Sequence, residues 1–95
     1  MKKKYPEIFF ESRGGEGPLF IYYSEKPYGN GLDDENETGV GFFGKNGELK
    51  AVMFDYVNKA NDHQKLIFKS GCVVEIKVKK GQITHQILFP TLKAS

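Results

Sequence analysis

Ninety-five residues with 39% hydrophobic and 14% aromatic content can bury one modest core, so the chain need not be disordered. Cys72 is the single cysteine, which excludes an internal disulfide and a multi-cysteine metal cluster within one chain. The apolar run Ile8 to Phe10 is too short for a signal-peptide core, and no window approaches the roughly 18 apolar residues of a membrane-spanning helix, so a soluble, cytoplasmic protein without membrane contact is expected. The net charge of +2 conceals an asymmetry: five cations face eight carboxylates up to Thr38, and nine lysines face four carboxylates from Gly39 onward. A basic half of this kind marks either a polyanion-binding face or the solvated sides of β-strands.

The predicted elements are short and β-like. Glu7 to Glu11 forms a first strand, ended by the turn-rich segment Ser12 to Pro18, and Leu19 to Ser24 forms a second, dense in aromatic residues that suit a pleated, half-buried surface. Pro27, Gly29, Asn30 and Gly31 then break the backbone, and an acidic loop over residues 29–38 is expected as a solvated connection or a lid. Val40 to Phe43 leads through Asn46-Gly47, a strong signal for a type I′ hairpin, into a strand from Leu49 to Val57. In that strand Val52, Phe54 and Tyr56 alternate with Ala51, Met53 and Asp55. The stretch Asn58 to Lys65 is the one place with room for a helical turn, with Asp62 as its N-cap. After the Ser70-Gly71 turn comes the cleanest alternation in the chain: Val74, Ile76 and Val78 on one face, Glu75, Lys77 and Lys79 on the other. Lys80-Gly81 turns the chain into Ile83 to Phe89, which Pro90 stops.

This spacing predicts an all-β domain over residues 1–95, a small barrel of five to seven strands or a strongly curved antiparallel sheet. Residues 1–38 supply N-terminal strands and the acidic loop, and residues 39–89 the barrel core. Val52, Phe54, Val74, Ile76, Val78 and Ile87 are its expected buried side chains. Catalytic patterns are poorly represented. Ser12, Ser24 and Ser70 lie in no nucleophile-elbow context, and the GKNGE segment lacks the GK[ST] ending of a phosphate-binding loop. His63 in a polar loop and His85 in a strand need the fold to bring them together with Asp55, Asp62 or Glu75 before they make a metal or acid–base site. Asp33-Asp34 lacks the alternating oxygen ligands of a calcium loop. Cys72 reads as a small buried strand residue. No catalytic residue, metal site or cofactor is assigned, and an enzyme is not expected.

The segments GVGFF, VMFDY and FKSGCVVEIKVKKGQITHQILF, spanning residues 39–89, resemble in order and separation the motifs of a cold-shock domain. That family is a five-stranded oligonucleotide-binding (OB) barrel with the pattern KGYGFI, VFVHF, then LxxGxxVxFxV and a final strand. The resemblance implies that Leu19 to Tyr23 supplies the first barrel strand, and that exposed aromatics stack on the bases of single-stranded RNA or DNA. Phe42 and Tyr56 keep the family's residue types, whereas Thr38, Val40, Met53 and Asp55 replace its Lys, an aromatic, a Phe and its His. PLFIYYSEK followed by GKNGELKAVMFDYV is also similar to a family of short bacterial β-rich domains of unknown function.

Two functional readings follow. In the first, Tyr22, Phe42 and Tyr56 stack on single-stranded nucleic acid while Lys45, Lys50 and Lys65 neutralise its backbone. In the second, the protein is an interaction or assembly module, a small subunit or an inhibitor, whose aromatics bury against a protein partner or a second copy.

Overall fold

The computed structural model describes residues 4–25 and 33–88, and within them the protein is all-β. Eight strands follow in order: β1 (Glu7–Phe10), β2 (Glu16–Tyr22), β3 (Asp33–Glu35), β4 (Gly39–Phe43), β5 (Leu49–Asn58), β6 (Asn61–Ile67), β7 (Val73–Lys79) and β8 (Gln82–Leu88). They form two antiparallel sheets, one of five strands in the order β1-β2-β5-β4-β3 and one a β6-β7-β8 meander. The predicted break at Pro27 to Gly31 and the stop at Pro90 lie outside the described residues. No helix among the described residues is long and apolar enough to cross a membrane.

One hydrophobic cluster joins the sheets. Leu19, Ile21, Val52, Phe54 and Val57 enter it from the five-stranded sheet, and Leu66, Val74, Ile76 and Val78 from the meander. Five of the six expected core residues are buried, and Ile87 packs half-buried at the margin. Phe68 and Cys72 complete the cluster just outside the strands. The ring of Phe68 lies against β4 at Gly41, where a Cβ would come within 2.4 Å of it, so only glycine lets the meander's edge seat there.

The segment expected to allow a helical turn is instead a tight corner followed by a strand. Asn58 Oδ1 accepts hydrogen bonds from the amides of Ala60 and Asn61, at 2.9 and 3.1 Å, and Asp62 Oδ2 accepts one from the amide of Asn58 at 2.8 Å. The carboxylate that might have capped a helix thus looks back along the chain. From there Asp62, Gln64 and Leu66 alternate with exposed His63, Lys65 and Ile67 along the ladder with β7. The acidic segment is likewise partly a strand: Asp33–Glu35 forms the edge β3 against β4.

Turn chemistry is exchanged between two hairpins. Between β4 and β5, the Gly47 amide donates to the Gly44 carbonyl at 3.0 Å, and Gly47 alone of the Asn-Gly pair has positive φ, at 84°. That is a type I turn closed by a left-handed glycine, not the expected type I′. The two-residue loop Lys80-Gly81 carries positive φ at both positions, 52° and 81°, and so has the I′ signature.

Ile76 is fully buried at the centre of β7. Ile76→Ala is expected to lower unfolding free energy by roughly 2–5 kcal/mol in urea denaturation, through lost burial and the cavity left behind. A loss below about 1 kcal/mol would contradict its central place.

Candidate interaction face

The register of the five-stranded sheet fixes which side chains share its outer face. Leu19 and Ile21 point to the core, so Phe20 and Tyr22 point away from it, and their partners Phe9 and Glu7 on β1 do the same. On the other flank of β2, Phe20 pairs with Met53 and Tyr22 with Ala51, and beyond β5, Val40 pairs with Met53 and Phe42 with Ala51. The edge strand adds Asp33 opposite Phe42 and Glu35 opposite Val40. Phe9 and Phe20 stack with centroids 5.3 Å apart, and Tyr22 meets both edge-on at 5.4 and 6.1 Å. Such pairs hold one another's rotamers and present a shaped apolar surface.

Tyr56 joins this face through an irregularity. Gly17 pairs with Val57 but Leu19 pairs with Phe54, so Pro18 stands opposite two residues, Asp55 and Tyr56. The Pro18 carbonyl accepts from the Glu11 amide, so the side of Pro18 that lacks an N–H faces β1, just past the end of that short strand, and no bond to β5 is lost. The extra residue switches the parity of β5: Val52, Phe54 and then Val57 are buried, while Asp55 and Tyr56 both face solvent. Simple alternation, which groups Tyr56 with Val52 and Phe54, is therefore wrong at this position. Tyr56 is 63% exposed. A hydrogen bond to the Glu16 carboxylate, and that group's charge, raise its phenol pKa above the usual value.

Tyr22, Phe42 and Tyr56 thus share one face of one sheet. The lysines do not join them as a set. Lys45 is exposed in the β4–β5 turn at one end of the face, and Lys50 sits where β5 bulges against β4, its ammonium 3.6 Å from Glu48. Lys65 projects from β6 on the outer side of the meander, on the far side of the core, in the company of Lys77 and Lys79. There His63 Nε2 lies 2.5 Å from Glu75, and this hydrogen bond, helped by Lys77 and Lys65, holds the Glu75 carboxyl below the usual range. The aromatic face carries Glu7, Glu16, Asp33, Glu35 and Asp55 instead.

Phe9 and Met53 belong to this surface beside Phe20, and neither has a stacking role in the sequence reading, where Phe20 stands with Tyr22 as a substitute platform. Phe20 shares the parity of Tyr22 and was open to the same reading, but Phe9 and Met53 become neighbours only through the register with β2.

The histidines lie on opposite faces of the meander: His63 pairs with Lys77 on the outside and His85 with Ile76 on the inside. His85 packs near Tyr23, at 6.3 Å between ring centroids, and His85 Nδ1, Ser24 Oγ and the Tyr23 hydroxyl are buried without hydrogen-bond partners. Cys72 lies close to Tyr23, and desolvation raises the pKa of both, so the thiol stays protonated and unreactive at neutral pH. No group of three or more potential metal ligands gathers among the described residues.

Glu16→Gln is expected to return the Tyr56 phenol toward its ordinary pKa, because the neutral amide no longer disfavours the phenolate. The measurement is phenolate absorbance against pH, with Tyr56→Phe identifying the signal, and an unchanged titration would separate Glu16 from Tyr56.

No protein-family model, curated protein or solved structure matches the chain, so the chemistry of this face is read from its own residues.

Proposed function

We propose that the chain is a protein-interaction module whose aromatic face receives a cationic segment of a partner polypeptide. One observation carries this reading: aromatic rings and carboxylates alternate across a single sheet face, with Asp33 beside Phe42, Glu7 beside Tyr22, and Glu16 and Asp55 at Tyr56. Arginine suits that surface, since its guanidinium stacks flat on a ring while its edge donates to a carboxylate. Each cation–π contact contributes about 0.5–2 kcal/mol, depending on how far the pair is desolvated.

The single-stranded nucleic-acid reading is favoured by the exposure of Tyr56 and by its sharing a face with Phe42 and Tyr22. Stacking adds roughly 1–3 kcal/mol per base. A phosphate about 6 Å from a carboxylate is repelled by roughly 0.7–3 kcal/mol between the dielectric limits of water and a protein surface. Gains and losses are therefore of one size, and among the described residues the carboxylates on the face outnumber the lysines at its edge. A cationic ligand meets the same rings with the electrostatic sign reversed.

Fluorescence anisotropy with labelled nona-arginine and with labelled oligothymidylate and oligouridylate at low salt separates the readings. Nona-arginine is expected to bind, to weaken as salt rises, and to lose about tenfold or more in affinity in the Glu35→Lys, Asp55→Lys double variant, where two attractions become repulsions. Tyr56→Ala should weaken it several-fold. Oligonucleotide binding that Asp55→Lys strengthens, with no response to nona-arginine, would replace this proposal with the nucleic-acid one.

A further inference from the structure

Among the described residues the two sheets have four edge strands, and three of them are protected. At the seam between sheets, β3 is acidic and is tied to the meander: Asp34 accepts a hydrogen bond from the Lys69 amide at 2.8 Å, and Asn36 Nδ2 donates to the Ile67 carbonyl at 2.9 Å. The end of β6 lies on the other side of that seam, and β6 carries Asp62, His63 and Lys65. β1 is four residues long, begins with Glu7, and is preceded by the cis Tyr5–Pro6 bond. Charge, shortness and proline are the devices that keep an edge from pairing.

β8 has none of them. Its seven residues, Gln82–Leu88, contain no lysine, arginine, carboxylate or proline, and its ladder with β7 runs without a bulge from Gln82 to Leu88. Among the described residues no strand lies beyond it. The segment is also self-complementary. Laid antiparallel on a copy of itself about His85, it sets Ile83 opposite Ile87 of the copy on the core side, and Thr84 opposite Gln86 on the outer side. Both isoleucines are half-buried against the protomer's core margin, and apolar partners would cover their remaining surface. His85 meets its own copy on the axis, a contact free of like charge while both imidazoles are neutral, and no other charged groups meet in this register.

We propose that two copies of the protein pair through β8, antiparallel and about a two-fold axis at His85, joining the three-stranded meanders into one continuous six-stranded sheet. The contact is closed, because each β8 edge is consumed by the other. It leaves the aromatic face of the five-stranded sheet outside the dimer, so it stands or falls independently of the proposed function.

Sedimentation equilibrium over a wide concentration range tests it, with two double variants on exposed positions of β8. Wild-type protein is expected to dimerise reversibly. Thr84→Lys with Gln86→Lys places lysine opposite lysine twice across the axis and should raise the dimer dissociation constant about tenfold or more. Thr84→Glu with Gln86→Lys places glutamate opposite lysine twice and should restore dimerisation to the wild-type level or beyond. Within a protomer the restoring pair also suits its neighbours, since residue 84 lies beside Lys77 and residue 86 beside Glu75. Thermal melting of dilute protein confirms that both variants fold. A wild type that stays monomeric up to its solubility limit would overturn the proposal, as would a dimer that the two variants change alike.

Discussion

The extra residue that β5 sets opposite Pro18 is the constraint on which the candidate face depends. A strand between two neighbours needs donors on both sides, and β2 is flanked by β1 and β5. Pro18 gives its carbonyl to the Glu11 amide, at 3.2 Å, on the β1 side, and the ladder to β5 is carried by Gly17 and Leu19 on either side of it. Opposite it β5 bulges, and the bulge does two things at once: it turns Val57 into the core just before the corner into β6, and it turns Asp55 and Tyr56 out beside Glu16. A regular β5 would bury Tyr56 and expose Val57. The candidate face and the last part of the core thus share one local irregularity.

Charge is partitioned by sheet rather than by half-chain. The five-stranded sheet carries its carboxylates outward around the aromatics, and the meander carries Lys65, Lys77 and Lys79 outward on the other side. Outer faces separated by two sheets about 10 Å apart lie beyond the roughly 8 Å screening length of physiological salt. Each face therefore presents its own sign to a partner, and the overall +2 describes neither.

The sequence made the fold class legible because alternation and turn residues are local properties. Val74, Ile76 and Val78 read as a buried row and are one, and the hairpin at Asn46-Gly47 exists even though its turn type differs. What escaped depends on partners distant in the chain. The strand Asn61–Ile67 has too few apolar residues to announce itself and is held by β7 and by the Asn58 and Asp62 side chains. The parity switch in β5 exists only in its register with β2, a strand distant in the chain. The same limit applied to the site: Tyr22, Phe42 and Tyr56 were legible as a set by residue type, while the separation of Lys65 from them follows from the sheet boundary at the β5–β6 corner.

That corner also divides the chain by the cost of closing contacts. β6, β7 and β8 succeed one another through the Gly71 turn and the Lys80-Gly81 loop, so every contact between them is local. β2 must instead find β5, pairing Leu19 with Phe54, before β1 has a completed neighbour on which to rest. Loop-closure entropy and contact order favour local pairing early and distant pairing late. The meander is therefore the natural template on which the five-stranded sheet condenses, and because it follows β1 and β2 in the chain, those strands emerge before it during synthesis.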